Sequence, residues 1–302
     1  MAPAIGTIGK MGIGASSPVD YRLDFKSESL RKATEQVNAN GVRGTRSHHA
    51  ARIRAGLNHV EGPVSFEPQA ADLHQLLPWI LCGTTTTVSG TLKRYRLGET
   101  AVARYVTIDR HAKVFTYATV GVDRATFRAE QGQALGLDLD LVGATETVGN
   151  AGTFPSLQDD TTTAPFILAD CTLSVNSVSC QGKNIELSIN NMIDKDRFFF
   201  SNTLTALVML DREIRFKTTI PYGDYTALYD TGAGTGVAVT VTLTNGTYVL
   251  TFTMPSVAFV PTSPVVPGRV EVMVDLDGRA FRTGALTDDT GLELTATLDT
   301  GA

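Results

Sequence analysis

The chain has 302 residues, 42% hydrophobic and 19% charged, with a formal net charge of −5. That balance excludes an intrinsically disordered chain and is enough for two domains of ordinary size, each with a core. No apolar run approaches the roughly 20 residues of a membrane-crossing helix.

Residues 1–19 are small and glycine-rich, and read as an arm without a core of its own. They lack the long apolar stretch of a secretory signal. Tyr21–Phe25 alternates as a half-buried strand does, and Ser29–Val37 is weakly helical. Asn38–Ala55 is a long basic loop, and Leu57–Phe66 returns to strand, with Pro63 marking an edge or bulge. Over Ala70–Leu81, Leu73, Leu76, Leu77, Ile80 and Leu81 form one apolar stripe. Asp72 suits the first turn of that helix and Gly83 its stop, while Pro78 should kink or shorten it.

Val88–Leu97 and Ala101–Ile108 form a strand-rich insertion, followed by strands over Lys113–Val122, Ala125–Ala129 and Ala134–Val142. Ala144–Thr163, rich in Thr, Gly and Asp, is the best linker candidate, and the linker is set at 151–164. Beyond it, Phe166–Val175, Asn184–Asn190, Phe198–Leu210 and Glu213–Thr219 read as strands, and Asp224–Asp230 as a helical turn. Asn245-Gly246 between Val237–Leu243 and Tyr248–Met254 is the strongest hairpin signal, because Asn-Gly tolerates the positive φ angles of a type I′ turn.

The chain repeats itself. Thr107–Gly143 aligns without a gap on Thr242–Gly278, and both copies end in Asp-Leu-x-Gly, at Asp140–Gly143 and Asp275–Gly278. Upstream, Val60–Pro68 corresponds to Glu213–Pro221, each followed by a short helical segment. The expected domains are an arm (1–19), a first module (20–150), the linker (151–164) and a second module (165–302). A chain that repeats a module often builds a ring from fewer chains than it has modules.

Sites of chemistry are not evident. Gly9, Gly12 and Gly14 lack the strand and helix that frame a nucleotide loop. Asp275-x-Asp277-Gly278 begins like a calcium loop, but Leu286 stands where the twelfth-position Glu belongs. His48, His49, His59, His74 and His111 are scattered, and Cys82, Cys171 and Cys180 lack metal spacing and read as reduced thiols. No nucleophile elbow or convergent titratable cluster is recognisable. No catalytic residue, metal or cofactor is therefore expected, and the chain is read as a protein that assembles.

Lys26–Gly83 resembles the tail tube proteins of long-tailed, siphovirus-like bacteriophages. The likeness rests on Ser27-Glu28-Ser29, the Gly41–Gly44 turn, Glu61–Pro68 and the leucine-rich helix ending at Gly83. It implies a mainly β fold with one or two short helices, built as two tandem β-sandwich modules that contribute to a ring-closed β-barrel. It implies a structural virion protein, assembled in the host bacterial cytoplasm. Its rings, trimeric or hexameric, would stack into the tube that conducts the genome. Implied partners are further copies of the chain, a tape measure protein and tail-end proteins. DNA passes without specific binding, and no membrane is involved. Other phage tail components of related fold (a tail completion or baseplate hub protein) and a carbohydrate-binding β-sandwich are the alternatives.

Sliding DNA favours a neutral or acidic bore, because bound cations add affinity through counterion release. Candidates for the lumen are Glu61, Glu67, Asp123, Asp138, Asp140, Asp211, Glu213 and Asp275. Candidates for ring stacking are the basic Arg43, Arg46, Arg52 and Arg54 against the acidic Asp288, Asp289 and Glu293, since complementary charge sets register and polarity.

Overall fold

The computed structural model describes residues 9–39, 41, 44, 46–47, 49–157, 163–225, 236–260, 263–283 and 291–297. The chain is mainly β with few short helices. It opens with β1 (Lys10–Gly14), β2 (Tyr21–Leu23), β3 (Ser27–Glu28), β4 (Arg31–Asn38) and β5 (Ile53–Phe66). Helix α1 (Ala70–Leu81) follows, then β6 (Thr85–Ser89), β7 (Leu92–Arg96), β8 (Arg104–Asp109), β9 (Lys113–Glu130), β10 (Gly136–Gly143) and β11 (Thr145–Asn150). The remainder comprises β12 (Cys171–Val175), β13 (Val178–Cys180), β14 (Asn184–Asn190), β15 (Glu213–Pro221) and the single turn α2 (Tyr222–Tyr225). It closes with β16 (Val237–Asn245), β17 (Tyr248–Phe259), β18 (Met273–Ala280) and β19 (Glu293–Thr297).

One antiparallel run organises the molecule: β4–β5–β10–β9–β14–β15–β18–β17. Alternation sets its two faces. Val64, Leu139, Phe127, Leu187, Phe216 and Leu276 point to a buried apolar side. Their sequence neighbours Ser65, Asp138, Arg128, Glu186, Lys217 and Asp277 point to the other. Within one chain the sheet is not closed into a barrel.

Two strands serve a second layer as well. The first part of β9 pairs with β8 and β11, and β8 with β1. The first part of β17 pairs with β16 and β19, β16 with β12, and β19 with β7. The apolar side chains between the layers form a continuous core, in which Phe127 meets Phe252 edge-on at 5.2 Å between ring centroids.

Helix α1 has the bounds its leucine stripe predicts. It runs through Pro78, because Trp79, Ile80 and Leu81 are fully buried and the indole Nε1 donates to the Val120 carbonyl at 3.0 Å. The backbone turns left-handed at Cys82 (φ 54°), one residue before the expected glycine stop. Gly83 and Gly98 are needed for another reason. A Cβ on Gly83 would lie 1.7 Å from the Arg96 carbonyl oxygen, and one on Gly98 2.0 Å from that of Cys82. Gly98→Ala should therefore force backbone apart and lower the unfolding free energy by about 1–3 kcal/mol or more. A denaturant titration matching wild type would refute this close approach.

Several expectations are corrected. Lys10–Gly14, expected to lack a core, is β1, with Met11 and Ile13 fully buried against β8. Ser29–Val37, expected as weak helix, contributes β4 instead, because pairing with β5 outweighs a slight propensity. Ile53–Ala55, expected within the loop, opens β5 after a 3-10 turn at Ala50–Arg52. Thr145–Asn150, expected within the linker stretch, is β11. Phe198–Leu210, expected as strand, has no named strand. Isolated bridges, Asn58 with Thr203 and Ile193 with Met209, and a few backbone hydrogen bonds such as Asp194 N–H to the Val208 carbonyl tie this segment to its neighbours without a continuous strand. The turn expected over Asp224–Asp230 begins earlier, as α2, and residues 226–230 lie outside the described residues. All three cysteines are free thiols, and burial pushes Cys171 up to about 11.

Candidate functional site: the polar sheet face

The side of the eight-stranded run that faces away from the core is a lattice of opposite charges. It follows from strand period alone: outward positions on β9, β14, β15 and β18 are filled mainly by Arg, Lys, Asp and Glu. Arg128 bonds Asp138 on β10 and, from Nε, Glu186 on β14 at 3.1 Å. The other oxygen of Glu186 lies 3.7 Å from Lys217 Nζ on β15. Arg215 reaches Asp277 on β18 at 3.2 Å. Hydroxyls complete the lattice: Ser65 donates to Asp138 at 2.6 Å and Thr219 to Asp275 at 2.7 Å. These groups are about a third to a half exposed, so each pair contributes little stability. Glu186→Gln should shift the unfolding free energy by less than about 1 kcal/mol, and by less still at high salt. Thermal melts at two ionic strengths measure this, and a large salt-independent loss would count against it.

Glu61, Asp138, Asp140, Glu213 and Asp275 lie on strands of this run. Glu61 faces His59 Nε2 at 3.3 Å, and Asp140 is exposed beside it in a groove of about 430 Å³ with Arg31 and Arg124. Glu67 sits just past β5, held by Lys26 Nζ at 2.8 Å. Asp123 is elsewhere in character: only 15% of its side chain is exposed, and it accepts from Lys195 Nζ and the Ile193 amide, each at 2.8 Å. Asp211 lies in the loop before β15, accepting from the Arg212 amide at 2.7 Å.

The candidates named from the sequence on this face were acids; the bases beside them, Arg124, Arg128, Arg215 and Lys217, and the bridging Glu186 were missed. The signal was present in Arg215-x-Lys217 and Arg124-x-x-x-Arg128, spaced to share a strand face.

Of the stacking candidates, Arg46, Arg52 and Arg54 are exposed in or beside the β4–β5 connection. Glu293 is already engaged, 3.2 Å from both Arg94 Nε and Arg96 Nε across β7 and β19. Arg43, Asp288 and Asp289 lie outside the described residues.

At the head of the sheet, Asn191 is fully buried where the layers meet. Its Nδ2 donates to the carbonyls of Ile80 at 2.9 Å and Val122 at 3.0 Å, and its Oδ1 accepts from Arg212 Nε at 3.3 Å. Arg212 also donates to the Gly98 carbonyl. One residue thus fixes α1, β9 and the loop that delivers β15.

No helix among the described residues is long and apolar enough to cross a membrane. A family model described as phage tail tube protein matches residues 3–280. No curated protein matches the chain.

Proposed function

Because the chain belongs to the phage tail tube protein family, it is a structural virion component that builds the tail tube, and we propose that it supplies two tandem modules to each ring. The first module spans 20–150 together with β1, and the second spans 165–302.

Matching topology supports the duplication. β1, β2, β4, β5, α1, β8, β9, β10 and β11 correspond in order to β12, β13, β14, β15, α2, β16, β17, β18 and β19. Each first helix follows the strand that pairs with the late strand, β5 with β10 and β15 with β18. The hairpins agree to the residue. Thr107 faces Thr116 and Thr242 faces Thr251, and in both pairs the hydroxyls lie 3.2 Å apart. The β6–β7 hairpin is the insertion of the first module, and it packs on the second through β19.

The observation that carries the ring is the eight-stranded run itself. Two four-stranded units join edge to edge through β9 and β14, leaving β4 and β17 at its margins. Unpaired edges drive further pairing, and a closed circle removes them. Three chains, and so six modules, would close the ring, with the polar face toward the bore and the genome passing without specific binding. Enzymatic activity is not part of this reading.

Electron microscopy of the purified protein, with mass from light scattering, tests it. Hollow tubes are expected, with a ring unit of three chains. A protein that stays monomeric at high concentration would overturn the proposal.

A further inference from the structure

Most large apolar side chains among the described residues are buried; of the fifteen that are exposed, six fall on two loops. Phe199 and Phe200 are 67% and 112% exposed, with Leu210 at 71%. Val265, Val266 and Val270 are 77%, 75% and 66% exposed. Neither group packs on the core, and exposed apolar clusters of this kind mark contact surfaces.

Strand register places the groups at opposite ends of the sheet. Phe199, Phe200 and Leu210 lie on the loop that ends at the start of β15. That loop touches the β4–β5 hairpin, since the Asn58 amide donates to the Asn202 carbonyl at 2.7 Å. The three valines lie on the loop entering β18 at Met273, which faces Pro221, the last residue of β15. β15 runs nine residues, so about 30 Å of strand separates the two ends.

The ends differ in charge as well. Arg46, Arg52 and Arg54 accompany the phenylalanine end. At the other end Arg269 and Glu271 share the valine loop, and Glu130 ends β9 opposite Asn184, next to Lys183, so the basic excess is not repeated there.

We propose that the two ends are the halves of one head-to-tail contact between copies of this chain: Phe199 and Phe200 of one ring dock on the Val265, Val266 and Val270 loop of the next. The proposal rests on the tube reading and specifies its stacking contact. A contact between two different patches does not close on itself, so it propagates as a filament. Burial of the phenyl rings supplies attraction, and the difference between the two patches, with the basic excess at one end alone, fixes which end meets which.

The test is polymerisation of full-length protein, followed by light scattering and microscopy. Phe200→Asp and Val266→Asp should each raise the concentration needed for tubes by about tenfold or more, since each puts a charge into a buried apolar contact. Both sites are exposed in the single chain, so thermal melts should stay as in wild type. Phe200→Asp combined with Val266→Lys should recover tubes, because the new charges meet. If wild type forms tubes and Phe200→Asp forms them at the same concentration, the contact is wrong while the tube stands. If the double variant stays as defective as its parents, the pairing of these two patches is likewise refuted. If wild type forms no tubes at all, the tube reading fails, and this contact with it.

Discussion

Asn191→Leu should lower the unfolding free energy by about 2–4 kcal/mol, the range for stripping donors from buried partners. Leucine matches asparagine in size but has no N–H. The carbonyls of Ile80 and Val122 would lose the Nδ2 donor, and Arg212 would lose an acceptor. Asn191→Asp separates polarity from volume. It keeps the shape but sets a carboxylate against two carbonyl oxygens, so it should be at least as damaging. Denaturant titrations of both variants measure the effect. A wild-type midpoint for Asn191→Asp would show that the two donated bonds carry no stability. The loss should also impair assembly, because α1, β9 and the loop before β15 would no longer be held in one frame.

How much of this was legible in the sequence depended on burial. Helix α1 was legible because one stripe of leucines meets the core, and burial of Trp79 beyond Pro78 explains why the proline did not end it. The β16–β17 hairpin was legible because Asn245-Gly246 sits between runs buried on alternate residues. β4 was not, because nearly every residue of it is exposed and no periodicity is imposed on it. Phe198–Leu210 misled in the opposite sense. Its apolar content suggested a buried strand, yet Phe199 and Phe200 face outward while only Phe198, Leu204, Leu207 and Met209 join a small cluster with Ile193. The proposed repeat rests on a hairpin and a closing turn that the two stretches share. The charge lattice was not, since pairing across strands depends on sheet order: Glu186 meets Arg128 only because β14 lies beside β9.

That lattice gives the prediction with the largest functional reach. If the polar face lines the bore as proposed, replacing Glu61, Asp140 and Asp275 by Lys should slow genome ejection sharply, most of all at low salt. Each added cation near phosphate steepens the log–log salt dependence of DNA binding by about 0.7–0.9. A single chain would gain only a weak site. A tube repeats it in every ring, however, so a translocating duplex meets another cationic site at each step. Screening over about 8 Å at physiological salt limits each site to DNA near the wall but does not remove the repetition. In that placement the native lattice would avoid this trap, because its bases are committed to acids: Arg128 to Asp138 and Glu186, Lys217 to Glu186, Arg215 to Asp277. Asp140 and Asp275 are exposed and Glu61 is partly so, which makes their reversal compatible with folding. Ejection kinetics of phage carrying the triple variant, followed by dye uptake across a salt series, give the readout. Rates equal to wild type at low salt, with tubes intact, would place this face away from the DNA.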